Sequence, residues 1–410
     1  MNQKESTWRI QKDLEQLSIF TATPGSGCTR LPFTPQTRAA ADALKEKMEQ
    51  TGLEVWEDPA GNLFGLLPGA DRAKPCILCG SHYDSVPHGG NYDGIAGVVC
   101  AIELARVLRE DGIVPPADYV AAAFMDEEGC RFGSGYFGSK AVLGCLEPVD
   151  CERLTDAEGI TLSQALTEYG LSPQNLKKAA WPQGRIGHFL EIHIEQGPVL
   201  DNRQRELGLV EGIVGLRRYR VRVQGRADHA GTTPMDLRSD AVEMASRVIA
   251  RVGDMAREAG GSTVATVGQV HTEGGAVNIV ARSLEFSLDI RSLDTAVLEA
   301  IPARIREGLR EETEKTGGSF VMEQTLHIQP VALSRRLRDL MEQSCQKRGY
   351  TFLTLPSGAG HDALAMGQQV DTAMLFVPSR QGRSHCPEEF TPPQAFARAV
   401  QVLEDLIAGL

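Results

Sequence analysis

No run of about 18 apolar residues occurs anywhere in this 410-residue sequence, so no segment of it can cross a bilayer as a helix. The first residues, MNQKESTWRIQKDLEQL, lack the apolar core that a secretory signal needs. Nine cysteines are scattered and odd in number, which fits reduced thiols in a cytoplasm better than a disulfide framework. The single C-x-x-C, Cys76 and Cys79, has no second pair and lies in an apolar run, so a closed thiolate zinc cage is excluded and core packing is expected. Acidic side chains outnumber basic ones, for a net charge of −12, and the basic surface that nucleic acid requires is missing. Internal repeats and low-complexity stretches are absent too. These absences predict a cytoplasmic protein without membrane or nucleic-acid partners.

What is present is ordinary in bulk: 42% hydrophobic and 23% charged residues, in a length that accommodates two domains. Apolar runs at 74–80 and 118–125 read as buried strands. Between them, from Ile95 to about Glu110, apolar residues recur at helical spacing in Val99, Ile102, Leu104, Ala105 and Leu108. Buried strands alternating with helices predict an α/β sheet. From 217 to 328 the pattern changes. Tyr219, Val221 and Val223 alternate with charged residues, a helix follows over 240–258, then strands at 262–270 and 283–290, a charged helix at 295–316 and a strand at 319–328. That β-α-β-β-α-β order is the ferredoxin-like unit.

Five ligand-type side chains stand in Gly-rich or acidic settings: His82 and Asp93 in GSHYDSVPHGGNYDG, Glu128 in MDEEG, His193 in EIHIEQG and His385 in GRSHCPEE. Imidazole plus carboxylate suits zinc, manganese or cobalt. Five ligands exceed the needs of one tetrahedral ion and suffice for two if one carboxylate bridges, an arrangement that performs hydrolysis. His82 and Glu128 fall just past strand ends, where active sites of open α/β sheets lie. Asp84, in H-x-D with His82, is placed to orient that ring. His88 sits in a proline-flanked loop and is expected to play no ligand role; His188 and His327 are expected to be structural.

These segments, with ADHAGTTPM, NIV, DIRS and SGAGHDA, resemble the dinuclear-zinc aminoacylase and carboxypeptidase superfamily over about residues 25–395. Within it they resemble the amidase branch of N-carbamoyl-L-amino-acid hydrolases, allantoate amidohydrolases and ureidopropionases. The resemblance implies a zinc-peptidase-like α/β catalytic domain in two parts, 1–214 and 330–410, interrupted by a ferredoxin-like lid and dimerisation domain at 215–329. It implies two divalent ions per subunit, Zn²⁺ or Mn²⁺ with Co²⁺ also suited: Asp93 bridging, His82 and His193 on one ion, Glu128 and His385 on the other. Glu127 is then the general base, and His229 stabilises the oxyanion. Asn278 and Arg291 bind the substrate carboxylate, with Gln196 and His361 as further substrate contacts. Two departures mark the last ligand motif: Arg383, where relatives carry a small or apolar residue, and Cys386 beside His385.

The expected activity is hydrolysis of a linear ureido C–N bond in a small carboxylate, allantoate or an N-carbamoyl-L-amino acid, by a homodimer. RRYRV, HAGTTPM and GAGHDA lean toward allantoate. An aminoacylase or metallo-exopeptidase is the alternative within enzymes, and a non-catalytic small-ligand binder the alternative outside them.

Overall fold

The computed structural model describes residues 2–410, and the apolar runs become strands of two sheets. Before the insertion the chain forms β1 (Glu54–Glu57), β2 (Leu63–Leu67), β3 (Cys76–His82), β4 (Tyr119–Phe124), β5 (Ile186–Ile194) and β6 (Leu207–Ile213). The insertion carries β7 (Gly215–Gln224), β8 (Val264–Thr266), β9 (Val270–Glu273), β10 (Ser283–Ser292) and β11 (Ser319–Ile328). After it come β12 (Val331–Ala332), β13 (Phe352–Ser357) and β14 (Asp371–Val377). One unit comprises Met1–Glu211 and Leu333–Leu410, the other Gly212–Ala332.

The large sheet runs β1-β2-β4-β3-β5-β14-β6-β12, with β13 also on β6. Its centre, β4-β3-β5-β14, is parallel, and β3 and β4 are buried along their whole length. A parallel sheet aligns the C-terminal ends of its strands, so His82 at the end of β3 and His193 near the end of β5 emerge on one edge. Helix Ile95–Glu110 follows the Asp93 loop and packs on β3, β4 and β5. It lies so close that a Cβ on Gly97 would come 2.3 Å from the Ile192 carbonyl oxygen. That approach brings Asp93 to the ends of β3 and β5. Cys76 and Cys79 are buried in β3, where burial pushes both thiols up to about 12. All nine cysteines are free, and no helix among the described residues is long and apolar enough to cross a membrane.

The insertion's sheet runs β11-β7-β10-β8, antiparallel throughout, with β9 also on β10. Helices Ala241–Ala259 and Thr295–Thr316 start at Asp240 and Asp294, whose carboxylates accept backbone N–H groups of the first turn. The alternation along β7 and β10 buries Val221, Val223, Phe286, Leu288 and Ile290 against Val248, Val252, Ile301 and Ile305. Each such burial contributes about 1.5–3 kcal/mol. The opposite face is charged and cross-linked, Arg222 to Glu285 and Arg218 to Asp289, both pairs directly opposite in register. This is the ferredoxin-like arrangement. The second strand is broken into β8 and β9, and β10 runs through Ser292, so Arg291 lies inside the strand rather than just beyond it. The junctions at 212 and 332 fall outside 215 and 329 because β12 pairs with Gly212 and Ile213, a two-residue strand too short for any periodic signal.

Candidate metal centre

The five ligand-type residues converge around Asp93, and its two oxygens face different partners. Oδ1 lies 3.1 Å from His193 Nε2 and 3.5 Å from His82 Nε2. Oδ2 lies 3.2 Å from His385 Nε2, which is itself 3.4 Å from Glu128 Oε1. Two ligand sets result, His82–Asp93–His193 and Asp93–Glu128–His385, and each has donor atoms close enough to share one ion. Gly94 makes this possible: its φ of +64° turns the chain after Asp93, and a Cβ there would sit 2.3 Å from the His82 ring.

A backbone carbonyl orients each buried imidazole. His82 Nδ1 is 3.2 Å from the Asp84 carbonyl oxygen, and His193 Nδ1 is 2.9 Å from that of Ile194. With hydrogen on Nδ1, the Nε2 lone pairs aim at Asp93. Lone pair then opposes carboxylate oxygen, and neither His193 Nε2 nor Asp93 Oδ1, both buried, has a hydrogen-bond partner. The electrostatics point the same way. Burial disfavours charge on His82, yet Asp84 and Asp93 outweigh it and raise its pKa well above the usual value. Asp93 and Glu128 hold His385 up at about 10. Asp93, whose burial alone would raise it, is driven well below the carboxylate range by His193, His385 and His82. The cluster demands positive charge between its ligands, so this donor set fits divalent cations.

Glu127 is buried, with Oε2 3.8 Å from His82 Nε2. Burial, and the Glu128, Asp362 and Asp84 carboxylates, raise its pKa well above the usual value against the opposing pull of His82. Asp84 does more than face the His82 ring, where Oδ1 is 3.4 Å from Nδ1. Its two oxygens accept the backbone N–H groups of Glu127 at 3.1 Å and Glu128 at 3.3 Å, so it also fixes the acidic loop. Gln196, at φ +57°, donates to Asp93 Oδ2 at 2.7 Å. His361 was expected to touch substrate but is only 1% exposed. Its ring centroid lies 4.3 Å from that of His193, and its Nε2 meets Ser357 Oγ at 2.9 Å. His88 is exposed on its loop and bonds Ser26, His188 pairs with Asp371, and Arg383 pairs with Glu388 at the surface.

Residues 78–409 match Peptidase family M20/M25/M40. The chain belongs to that family. It is 40% identical to the N-carbamoyl-L-amino-acid amidohydrolase of Paenarthrobacter aurescens over 100% of this chain and 99% of the relative. It is 34% identical to the allantoate amidohydrolase of Escherichia coli K12, over 96% of this chain and 95% of the relative. Among solved structures it resembles a hydantoinase/carbamoylase family amidase from Burkholderia multivorans, with a TM-score of 0.91 at 29% identity, covering 98% of this chain and 97% of that one.

The other candidates of this M20-family chain lie in the insertion. His229 is exposed, and its Nδ1 accepts backbone N–H groups of Gly231 at 3.1 Å and Thr232 at 3.2 Å. The ring hydrogen therefore sits on Nε2. Asn278 is its neighbour, since His229 bridges to Ile279 and the Ala230 N–H donates to the Asn278 carbonyl at 2.9 Å. Arg291 forks onto Asp289, Nε to Oδ1 at 2.8 Å and Nη2 to Oδ2 at 3.3 Å. Arg217 is buried and taken up by Glu299 and the Ile328 carbonyl. Sequence reasoning did not single out Ser384 or Glu389. Glu389 is buried, accepts the backbone N–H groups of Tyr92 and Asp93, and meets Ser384, which also reaches Asp93 Oδ2. Burial and the Asp93 charge push Glu389 up to about 7. The final acid of GRSHCPEE was the available signal.

Proposed function

We propose that this chain is a metal-dependent amidohydrolase that cleaves the linear ureido C–N bond of a small carboxylate substrate. With an N-carbamoyl-L-amino acid and water, the products are the free amino acid, carbon dioxide and ammonia. The observation that carries this reading is the division of Asp93: one oxygen toward His82 and His193, the other toward His385 and Glu128. That division suits a bridging carboxylate, with His82 and His193 holding one cation and Glu128 and His385 the other. Two such ions, when bound, would acidify water toward a pKa of about 7 and polarise the scissile carbonyl.

Glu127 takes the proton from the attacking water and returns it to the departing nitrogen, and a pKa raised by burial and the neighbouring carboxylates suits a group that must accept a proton. Asp84 holds Glu127 and Glu128 at their backbones. His229, with hydrogen on Nε2, is a neutral donor for the oxyanion that develops on the substrate carbonyl. Asn278 and the Arg291 guanidinium bind the substrate carboxylate; Asp289 already receives the fork that Arg291 would offer. Zn²⁺, Mn²⁺ and Co²⁺ all suit the donor set, free thiols fit a cytoplasm, and β11, an edge strand of the insertion, supports homodimerisation. N-carbamoyl-L-amino acids stand ahead of allantoate, against the lean of RRYRV, HAGTTPM and GAGHDA, because the relative at 40% identity carries that name and the allantoate enzyme stands at 34%.

The test is ammonia release by the metal-loaded protein on N-carbamoyl-L-amino acids, allantoate and ureidopropionate, with N-acetyl-amino acids and dipeptides as controls. Hydrolysis of the controls without ammonia from any ureido compound would replace this reading with an aminoacylase or peptidase. No turnover of any of them would leave a binding protein.

The carboxylate contact makes a separate prediction. Paired charge-assisted hydrogen bonds contribute about 1.5–3 kcal/mol. Arg291→Lys keeps charge but loses the fork, so kcat/KM should fall; Arg291→Ala should fall further and lose most of the preference for a free acid over its amide. The measurement is kcat/KM on a matched acid and amide. An unchanged ratio in Arg291→Ala would place carboxylate recognition elsewhere.

A further inference from the structure

Asp93 and His385 arrive at the centre on loops nearly 300 residues apart, and neither loop belongs to a strand. One buried carboxylate ties them together. Glu389 is 5% exposed, and its Oε1 accepts the backbone N–H groups of Tyr92 at 3.0 Å and Asp93 at 3.1 Å. Its Oε2 is 2.8 Å from Ser384 Oγ, and that hydroxyl is 2.9 Å from Asp93 Oδ2. Ser384 adjoins His385 in the chain. The loop is shaped around this carboxylate: a Cβ on Gly90 would lie 2.1 Å from Glu389 Oε1. No Lys or Arg among the described residues pairs with Glu389, so its burial is compensated by these hydrogen bonds alone.

We propose that Glu389, acting through Ser384 and the Tyr92–Asp93 backbone, is the positioning residue that aligns Asp93 Oδ2 with His385 for the cation they share. This rests on the two-cation reading above. The two ligand sets differ in what supports them. His82 and His193 stand on β3 and β5 with their Nδ1 atoms at backbone carbonyls, so they keep their aim without Glu389. His385 is exposed on a loop, and besides Gln196, which meets both Asp93 Oδ2 and His385, it is the clamp that joins this loop to Asp93. Loss of Glu389 therefore weakens one cation far more than the other. The single hydrogen of Ser384 faces two carboxylates. A Gln at 389 would donate to Ser384 Oγ and free that hydrogen for Asp93, so Glu389→Gln preserves the clamp.

The experiment is a Co²⁺ titration of the metal-free full chain, followed by visible absorption and by elemental analysis after dialysis. Wild type is expected to take up two ions. Glu389→Ala should hold the first within a few-fold and bind the second about 10–100-fold more weakly, the usual cost of losing a ligand's hydrogen-bonding partner. Ser384→Ala should weaken the second ion in the same sense, and Glu389→Gln should match wild type, each with an unchanged melting temperature of the metal-free protein. Wild-type affinity for both ions in Glu389→Ala, or equal weakening of both, would overturn the proposal. Should that variant fail to fold, Ser384→Ala decides alone, and wild-type binding of both ions by it overturns the clamp. Wild type binding fewer than two ions overturns the two-cation reading itself, and the clamp with it.

Discussion

Asp93→Ala is expected to purify with fewer than two tightly held ions and with turnover at background. Among the described residues Asp93 is the one side chain that belongs to both of these ligand sets, so its removal deprives each prospective ion of an oxygen. Losing only a hydrogen-bonding partner of a ligand costs about 10–100-fold in metal affinity, and losing the shared ligand itself should exceed that at both positions. The fold should survive. The backbone N–H of residue 93 still reaches Glu389, and helix Ile95–Glu110, most of whose buried residues are apolar, packs on β3, β4 and β5. Elemental analysis beside circular dichroism separates these effects. A folded variant with two tightly bound ions and normal turnover would end the assignment of Asp93 as the bridge.

Glu127→Gln should do the opposite to the metals and nearly the same to the rate. The amide is isosteric with the carboxylate but cannot take a proton, so kcat should drop by about 10²–10⁴, the range a positioned general base supplies. Metal content should stay at the wild-type value, because the ligand sets around Asp93 are complete without Glu127. The distinction is sharp here, since Glu127 lies close enough to His82 and Glu128 to serve as a ligand itself. Metal loss in Glu127→Gln would make Glu127 a ligand and reopen the roles of the acids at 126–128. Asp126, buried at φ +57° with Oδ2 unpartnered, would then be the next to replace.

The elements that position this centre were legible in the sequence because their information is local. The apolar run of β3, the helical spacing from Ile95 to Glu110 and the strict alternation of β7 each state which face is buried, and burial decides the element. The candidate donors that the structure brings together stood out as well, because few side chain types suit a divalent cation and those present stand in quotable motifs. What the sequence could not state is which oxygen of Asp93 faces which histidine. That depends on strand order β4-β3-β5-β14 and on the close seat of Gly97 against β5, which join segments with no local signal for one another. The burial of His361 beside His193, the double hold of Asp84 on the acidic loop, and the Glu389 clamp belong to the same class. The sequence by itself determined the elements and the chemical inventory, through short-range burial patterns and ligand chemistry. The tertiary structure alone decided which oxygen of Asp93 faces which partners, because hydrogen-bond geometry between residues up to 297 apart exists only once the sheet is assembled.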